Sequence, residues 1–135
     1  LPDLVRGLTA LADEALAGCD LTPRLVIDAQ VRLQRITGDV LRAMAALGPH
    51  GPSNPLPTFL ARGLELRDLR PMGDNGQHLR LRVRAGGATW DAVAFNIALP
   101  QPVPPRADVV FTLAKDRWGG TETLRLNVLD MAPAP

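Results

Sequence analysis

The run His78-Leu79-Arg80-Leu81-Arg82-Val83-Arg84-Ala85-Gly86-Gly87-Ala88-Thr89-Trp90-Asp91-Ala92-Val93-Ala94-Phe95 decides the fold. Polar and apolar residues alternate on both sides of Gly86-Gly87, the period of a strand with one buried face. A Gly-Gly pair accepts the positive φ of a two-residue hairpin turn. A tight hairpin then sets the register. Val83 faces Trp90, Leu81 faces Ala92 and Leu79 faces Ala94 on the inside; Arg84 faces Thr89, Arg82 faces Asp91, Arg80 faces Val93 and His78 faces Phe95 on the outside. A slip of one residue would invert the faces and put four polar side chains into the core.

The same period of two extends on both sides of this hairpin. Leu64 and Leu66 alternate with Glu65 and Arg67, Val109, Phe111 and Leu113 with Val110 and Thr112, and Leu124, Leu126 and Val128 with Arg125 and Asn127. Trp90 and Phe111 fall on the core face. Five short strands in about seventy residues predict a small closed barrel, for which the five-stranded oligonucleotide-binding (OB) fold is the common solution. The barrel is expected over residues 59–131.

Upstream the period is helical. Leu4, Val5, Leu8, Leu11, Ala12, Ala15 and Leu16 mark one face of an amphipathic helix that stops near Gly18. Leu25-Val26-Ile27, after Pro23, reads as a short strand. Val31, Leu33, Ile36, Val40, Leu41, Met44 and Leu47 predict a second helix with Gly38 as a weak point inside it. The fold class expected is therefore α+β, two N-terminal helices followed by a five-stranded OB-like β-barrel. Between them, Gly48-Pro49-His50-Gly51-Pro52-Ser53-Asn54-Pro55-Leu56-Pro57 excludes helix and central strand. It reads as a stiff linker or as a shaped loop packed on its neighbours, and the residues alone leave both open.

The 135 residues suit one compact domain, or one domain with a docking segment, and no apolar run is long enough for a membrane helix. The opening Leu1-Pro2-Asp3 lacks the basic-then-apolar pattern of a secretory leader. Cys19 is the only cysteine, so no internal disulfide forms, and a reducing cytoplasm is the expected compartment. Net charge is only +1, which argues against a strongly basic DNA-coating protein. The cations are nevertheless uneven: residues 59–135 hold nine arginines and Lys115 against eight acids.

Two surfaces are candidates for a ligand. The outer face of the hairpin carries His78, Arg80, Arg82 and Arg84 in a row, with same-face neighbours about 6.6–7 Å apart. Phosphates of a single strand are comparably spaced, so the row suits a nucleic-acid backbone. The alternative is a solvated barrel face with Arg82 paired to Asp91, since alternating charge is what any half-buried strand displays. The second surface is the predicted loop Ala114-Lys115-Asp116-Arg117-Trp118-Gly119-Gly120 between the fourth and fifth strands, a usual ligand edge in OB folds. Trp118 there is a base-stacking platform beside Lys115 and Arg117, or a ring folded over the barrel end. No hydrolytic constellation is present. His50 and His78 are the only histidines, and neither has a His, Cys or Asp neighbour at metal-ligand spacing.

Read together, these segments resemble the RecJ family of single-stranded-DNA-specific exonucleases, within the DHH family. Leu25-Val-Ile-Asp28 is similar to the family's apolar stretch before a helix. Leu47-Gly-Pro-His-Gly-Pro-Ser-Asn-Pro-Leu-Pro-Thr-Phe59 resembles its L-x-P-F-G-x-G-N-P-x-P-x-F segment, with His50 for Phe and Ser53 for Gly. Met72-Gly73 followed by His78-Leu-Arg-Leu81, then Ala92-Val-Ala-Phe95, Asp108-Val-Val-Phe-Thr-Leu113 and Gly120 through Asp130, resemble its remaining strands in order. The resemblance implies that the chain is the C-terminal part of a longer enzyme. Residues 1–27 would be the tail of a DHHA1-like domain, 28–58 a connecting helix and Pro-rich loop, and 59–131 the OB domain. The parent would degrade single-stranded DNA 5′ to 3′ with Mn²⁺ or Mg²⁺ in recombination and repair. The family's DHH motifs have no counterpart in these residues, so this stretch alone is expected to have no catalytic residues, no metal site and no cofactor. Expected partners are single-stranded DNA and the rest of the exonuclease core. The acidic, apolar tail of a single-stranded-DNA-binding protein would also suit an arginine-lined groove, which makes a protein-docking platform the alternative function.

Overall fold

The structure is a computed structural model and describes residues 1–97, 102–118 and 121–135; the side chains of residues 116–122 are outside that description. Its elements are helix α1 (Pro2–Leu16), strand β1 (Ala29–Gln30), a 3₁₀ turn (Leu33–Arg35), helix α2 (Gly38–Ala46) and strands β2 (Phe59–Met72), β3 (His78–Ala85), β4 (Ala88–Phe95), β5 (Arg106–Trp118) and β6 (Thr121–Pro133). The sheet runs β1-β2-β3-β4-β6-β5, and β2 pairs with β5 to close a barrel from the last five strands. β4 and β6 are parallel, and the other barrel pairs are antiparallel. This is the five-stranded Greek-key closure of an OB fold.

The hairpin register is the one that the alternation predicts, from His78 opposite Phe95 to Arg84 opposite Thr89. Gly86 (φ +51°) and Gly87 (φ +87°) make the turn. A side chain at Gly86 would also run into the Gln34 amide, which donates a 2.8 Å hydrogen bond to the Ala85 carbonyl. Phe111, Leu64, Leu81, Leu126, Val83 and Val109 fill the barrel, all fully buried, and Leu33 and Met44 join them from outside its strands. Trp90 is only partly buried and packs at the edge of this core.

Three local expectations are corrected. Leu25-Val26-Ile27 is not a strand and stays exposed; the strand is Ala29–Gln30, paired in parallel with Phe59 and Leu60. Backbone bonds from Asp28 N to Thr58 O (2.9 Å) and Val31 N to Leu60 O (2.8 Å) hold residues 28–31 extended. That pairing is why the second helix does not begin at Val31. Leu33–Arg35 forms only a 3₁₀ turn, and α2 starts at Gly38 with Thr37 as its extended N-cap. Finally, the predicted loop 114–120 is largely strand: β5 runs to Trp118 and β6 resumes at Thr121.

The Pro-rich segment is a shaped loop. Gly51 and Asn54 exchange backbone bonds of 2.9 and 3.0 Å, and the Gly48-Pro49 peptide is cis. The Asn54 side-chain amide donates to the carbonyls of Leu47 (2.8 Å), the C-cap of α2, and of Pro49 (3.0 Å) in the loop, tying the helix end to the turn. Helix α1 is different. Its apolar face is uncovered, with Leu4, Val5, Leu8 and Leu11 between 57% and 63% exposed.

Candidate nucleic-acid interface

The outer face of β3 carries Arg80, Arg82 and Arg84 as exposed side chains, with His78 half-buried at its start. Their surroundings differ. Arg82 lies between two carboxylates: its Nε is 3.2 Å from Asp91 Oδ1 and its terminal nitrogen 3.5 Å from Asp68 Oδ2. Arg84 stands opposite Glu65 on β2. Glu65 is shared by the guanidinium of Arg67 (3.0 Å) and that of Arg106 (3.6 Å). Arg67, mainly through its hydrogen bond, and then Arg106 and Arg84 through their charge, hold the Glu65 carboxyl below its ordinary value of 4.5. Arg80 has no ion-pair or hydrogen-bond partner among the described residues. His78 is fixed by its neighbours, its ring edge-on to Phe95 at 5.1 Å and its Nδ1 accepting from the Asn96 backbone N–H at 3.3 Å.

β2 adds a residue that the alternation hides. Its register against β3 steps from Arg67↔Arg82 to Arg70↔Arg80, so two residues of β2 oppose one of β3. Asp68, in the left-handed region at φ +50°, makes this bulge. The extra residue inverts the faces beyond it. Leu64 and Leu66 point inward, but after the bulge Leu69 and Pro71 take the inner register, and Arg70 and Met72 move to the outer face opposite Arg80 and His78. Arg70 also lacks a partner among the described residues.

Two hollows meet at this place. One, of about 460 Å³, is lined by Asp68, Arg70, Met72, Arg80, Arg82 and Asp91 among others. The other, of about 640 Å³, has an apolar wall of Met72, Val93, Phe95 and Leu124 with Arg80, Asp91, Thr123 and Arg125 around it. Met72, Arg80 and Asp91 line both, so the groove crosses β2, β3, β4 and β6. A basic rim beside an apolar wall can hold phosphate on one side and an unstacked ring on the other. Phe95, nearly half exposed on that wall, is an aromatic whose outer register the alternation shows but whose place in the groove it does not.

The second predicted surface lies at the β5–β6 hairpin. Lys115 is exposed near its end. Arg117 and Trp118 belong to β5 by backbone, opposite Glu122 and Thr121, but their side chains lie outside the described residues. As to metals, no three His, Cys, Asp or Glu side chains among the described residues come together as a donor set. These residues do not fit Mn²⁺ or Mg²⁺.

A closed five-stranded Greek-key barrel with an arginine-lined groove across β2 and β3 defines the class: an OB-fold domain. A family model for the RecJ OB domain matches residues 27–130, and the chain belongs to that family. It is similar to the single-stranded-DNA-specific exonuclease RecJ of Bacillus subtilis (strain 168), 29% identical over 135 residues that cover 98% of this chain and 17% of the relative. Two crystal structures of RecJ from Thermus thermophilus share the fold. The complex with Mn²⁺ superposes with a TM-score of 0.73 at 22% identity, over 100% of this chain and 20% of that one. The complex with Mg²⁺ gives 0.71 at 22% identity, over 98% and 21%. The chain thus spans about a fifth of the length of these relatives.

Proposed function

We propose that this chain is the single-stranded-DNA-binding OB region of a 5′–3′ single-stranded-DNA exonuclease acting in recombination and repair in the cytoplasm. The interface would comprise His78, Arg80, Arg82 and Arg84 with Lys115, Arg117 and Trp118, and Arg70 and Phe95 join it. The observation that carries the reading is the groove itself, in which Arg70 and Arg80 stand beside an apolar wall that presents the exposed Phe95, with no carboxylate paired to either among the described residues. The whole enzyme would be a metal-dependent phosphodiesterase with Mn²⁺ or Mg²⁺ held by residues outside this stretch. This part would hold the strand against the rest of the core. Binding should favour single strands, whose unstacked bases can reach the wall, and show little sequence preference, because phosphate contacts position a strand without reading it.

The test is titration of the 135-residue chain with labelled oligothymidylate over a salt series. The logarithm of affinity should fall linearly with that of salt concentration, by about 0.7 per phosphate contact. Binding that is absent, or insensitive to salt, overturns the reading. One observation favours a second reading. The wall of Met72, Val93, Phe95 and Leu124 under an arginine rim would also seat the acidic, apolar tail of a single-stranded-DNA-binding protein. Such a tail, anchored by a buried ring, should weaken less with salt than DNA does.

A further inference from the structure

We propose that Arg70 and Arg80 form a two-arginine fork for a single phosphate, and that Arg82 is not a phosphate ligand but the strut that holds the fork open. This deepens, and rests on, the reading of the groove as a binding site for single-stranded DNA. It replaces a ladder of three equivalent arginines on β3 with one defined anion position shared between β2 and β3.

Arg70 and Arg80 are direct cross-strand partners on the outer face. Like charges directly opposed in an antiparallel pair destabilise it. The other opposed arginines on this face have acids beside them: Arg67 and Arg82 oppose each other, but Glu65 bonds the first and Asp68 and Asp91 the second. Arg70 and Arg80 have no such relief among the described residues, although both line the same hollow. An anion between them removes the repulsion, and two guanidinium forks match the geometry of one phosphate's oxygens.

From β3, Arg82 reaches the bulge residue Asp68 on β2 and Asp91 on β4, so it ties three strands together at the place where the bulge turns Arg70 outward. Two carboxylates cancel its charge and would repel a phosphate placed there. The next phosphate of a strand seated on Arg80 therefore has no favourable place at Arg82, and the strand turns toward the apolar wall instead.

Two measurements test this. In the first, the Nε–Hε resonances of the 15N-labelled 135-residue chain are followed during titration with inorganic phosphate. Arg70 and Arg80 should move together with one midpoint, while Arg82 stays. Arg70→Gln should weaken the response at Arg80 on the order of tenfold, the loss of one charge-assisted donor group. Arg82→Gln should leave Arg80 responsive and uncouple Arg70, which a merely stabilising residue would not do. In the second, the Arg70→Gln/Arg80→Gln double variant should flatten the salt slope for oligothymidylate by about 0.7, the value for one lost phosphate, where two independent sites would give about 1.4. No phosphate response at Arg70 and Arg80, or separate midpoints with a loss of about 1.4, overturns the fork. A shared phosphate midpoint in a chain that binds no oligothymidylate supports the fork and overturns the DNA reading instead.

Discussion

Arg82 and Asp91 stand directly opposite each other on β3 and β4, with the Arg82 Nε 3.2 Å from the Asp91 carboxylate. Both side chains are more than half exposed, so the pair stabilises the barrel by no more than about 0–1 kcal/mol. Its larger effect is on the groove, where it offsets a positive charge. Asp91→Asn should raise affinity for oligothymidylate about two- to five-fold at low salt, in keeping with the energy of an exposed pair. Arg82→Ala should cost less affinity than Arg80→Ala. Fluorescence anisotropy at fixed salt reads both, and weaker binding by Asp91→Asn would contradict the assignment.

Gly86 and Gly87 both have positive φ, but only Gly86 lies against another side chain. Gly87→Ala should therefore cost only the left-handed backbone penalty, about 1–2 kcal/mol. Gly86→Ala should cost about 1 kcal/mol more, because it also displaces the Gln34 amide from the Ala85 carbonyl. Urea denaturation of the two variants side by side measures the difference. Equal losses would mean that Gln34 moves aside freely.

The double hydrogen bond from Asn54 separates a shaped loop from a passive linker. Asn54→Ala removes both bonds at the end of α2 and should destabilise the chain by about 1–3 kcal/mol. Ser53→Ala, in the same turn between the bridged Gly51 and Asn54, serves as the control and should change stability by less than about 0.5 kcal/mol. Urea denaturation of both variants checks the contrast.

The barrel was legible in the sequence because its strands are half-buried, and half-burial writes a period of two. The Gly86-Gly87 turn then fixed every partner from His78 to Phe95 in advance. What escaped the reading has physical causes. The apolar spacing from Val31 to Leu47 reads as one helix, while the backbone of Val31 is committed to pairing with β2 and Leu33 to a turn that buries it. The β5–β6 hairpin was shortened because charged residues at its end resemble a loop. Arg70 was missed because a bulge exchanges the two faces of a strand. The signal was present: the apolar phase slips from the even positions Leu64 and Leu66 to the odd position Leu69. Whether the Pro-rich segment was linker or loop was not decidable from composition, since both use the same residues and differ only in what Asn54 touches.

Glu65 gives the barrel a defined acid sensitivity. Its folded carboxyl titrates below the ordinary 4.5, chiefly because Arg67 bonds the ionised form. A carboxyl depressed in the folded state contributes stability that is present above its unfolded value and is lost as pH falls through the folded one. Stability measured on the acid side of 4.5 should therefore decline less steeply in Glu65→Gln than in the parent. Thermal melts across that range check the sign. A parallel decline in both would show that Glu65 does not contribute.

The end of the β5–β6 hairpin offers a test that separates stacking from charge. Trp118 is the last residue of β5, opposite Thr121, and Arg117 is opposite Glu122. In an OB fold this connection borders the ligand face. A base stacked on an indole contributes through ring contact and not through counterion release. Trp118→Ala should therefore lower affinity for oligothymidylate by about 1–3 kcal/mol at every salt concentration, leaving the slope of the salt plot unchanged. Arg117→Gln should do the opposite in kind, flattening the slope by about 0.7 if its charge meets a phosphate. A polyanion without bases provides the control: it should bind the parent and Trp118→Ala equally well. If Trp118→Ala leaves both affinity and slope intact, the tip of the hairpin is not part of the interface, and binding is confined to the groove between Arg70, Arg80 and Phe95.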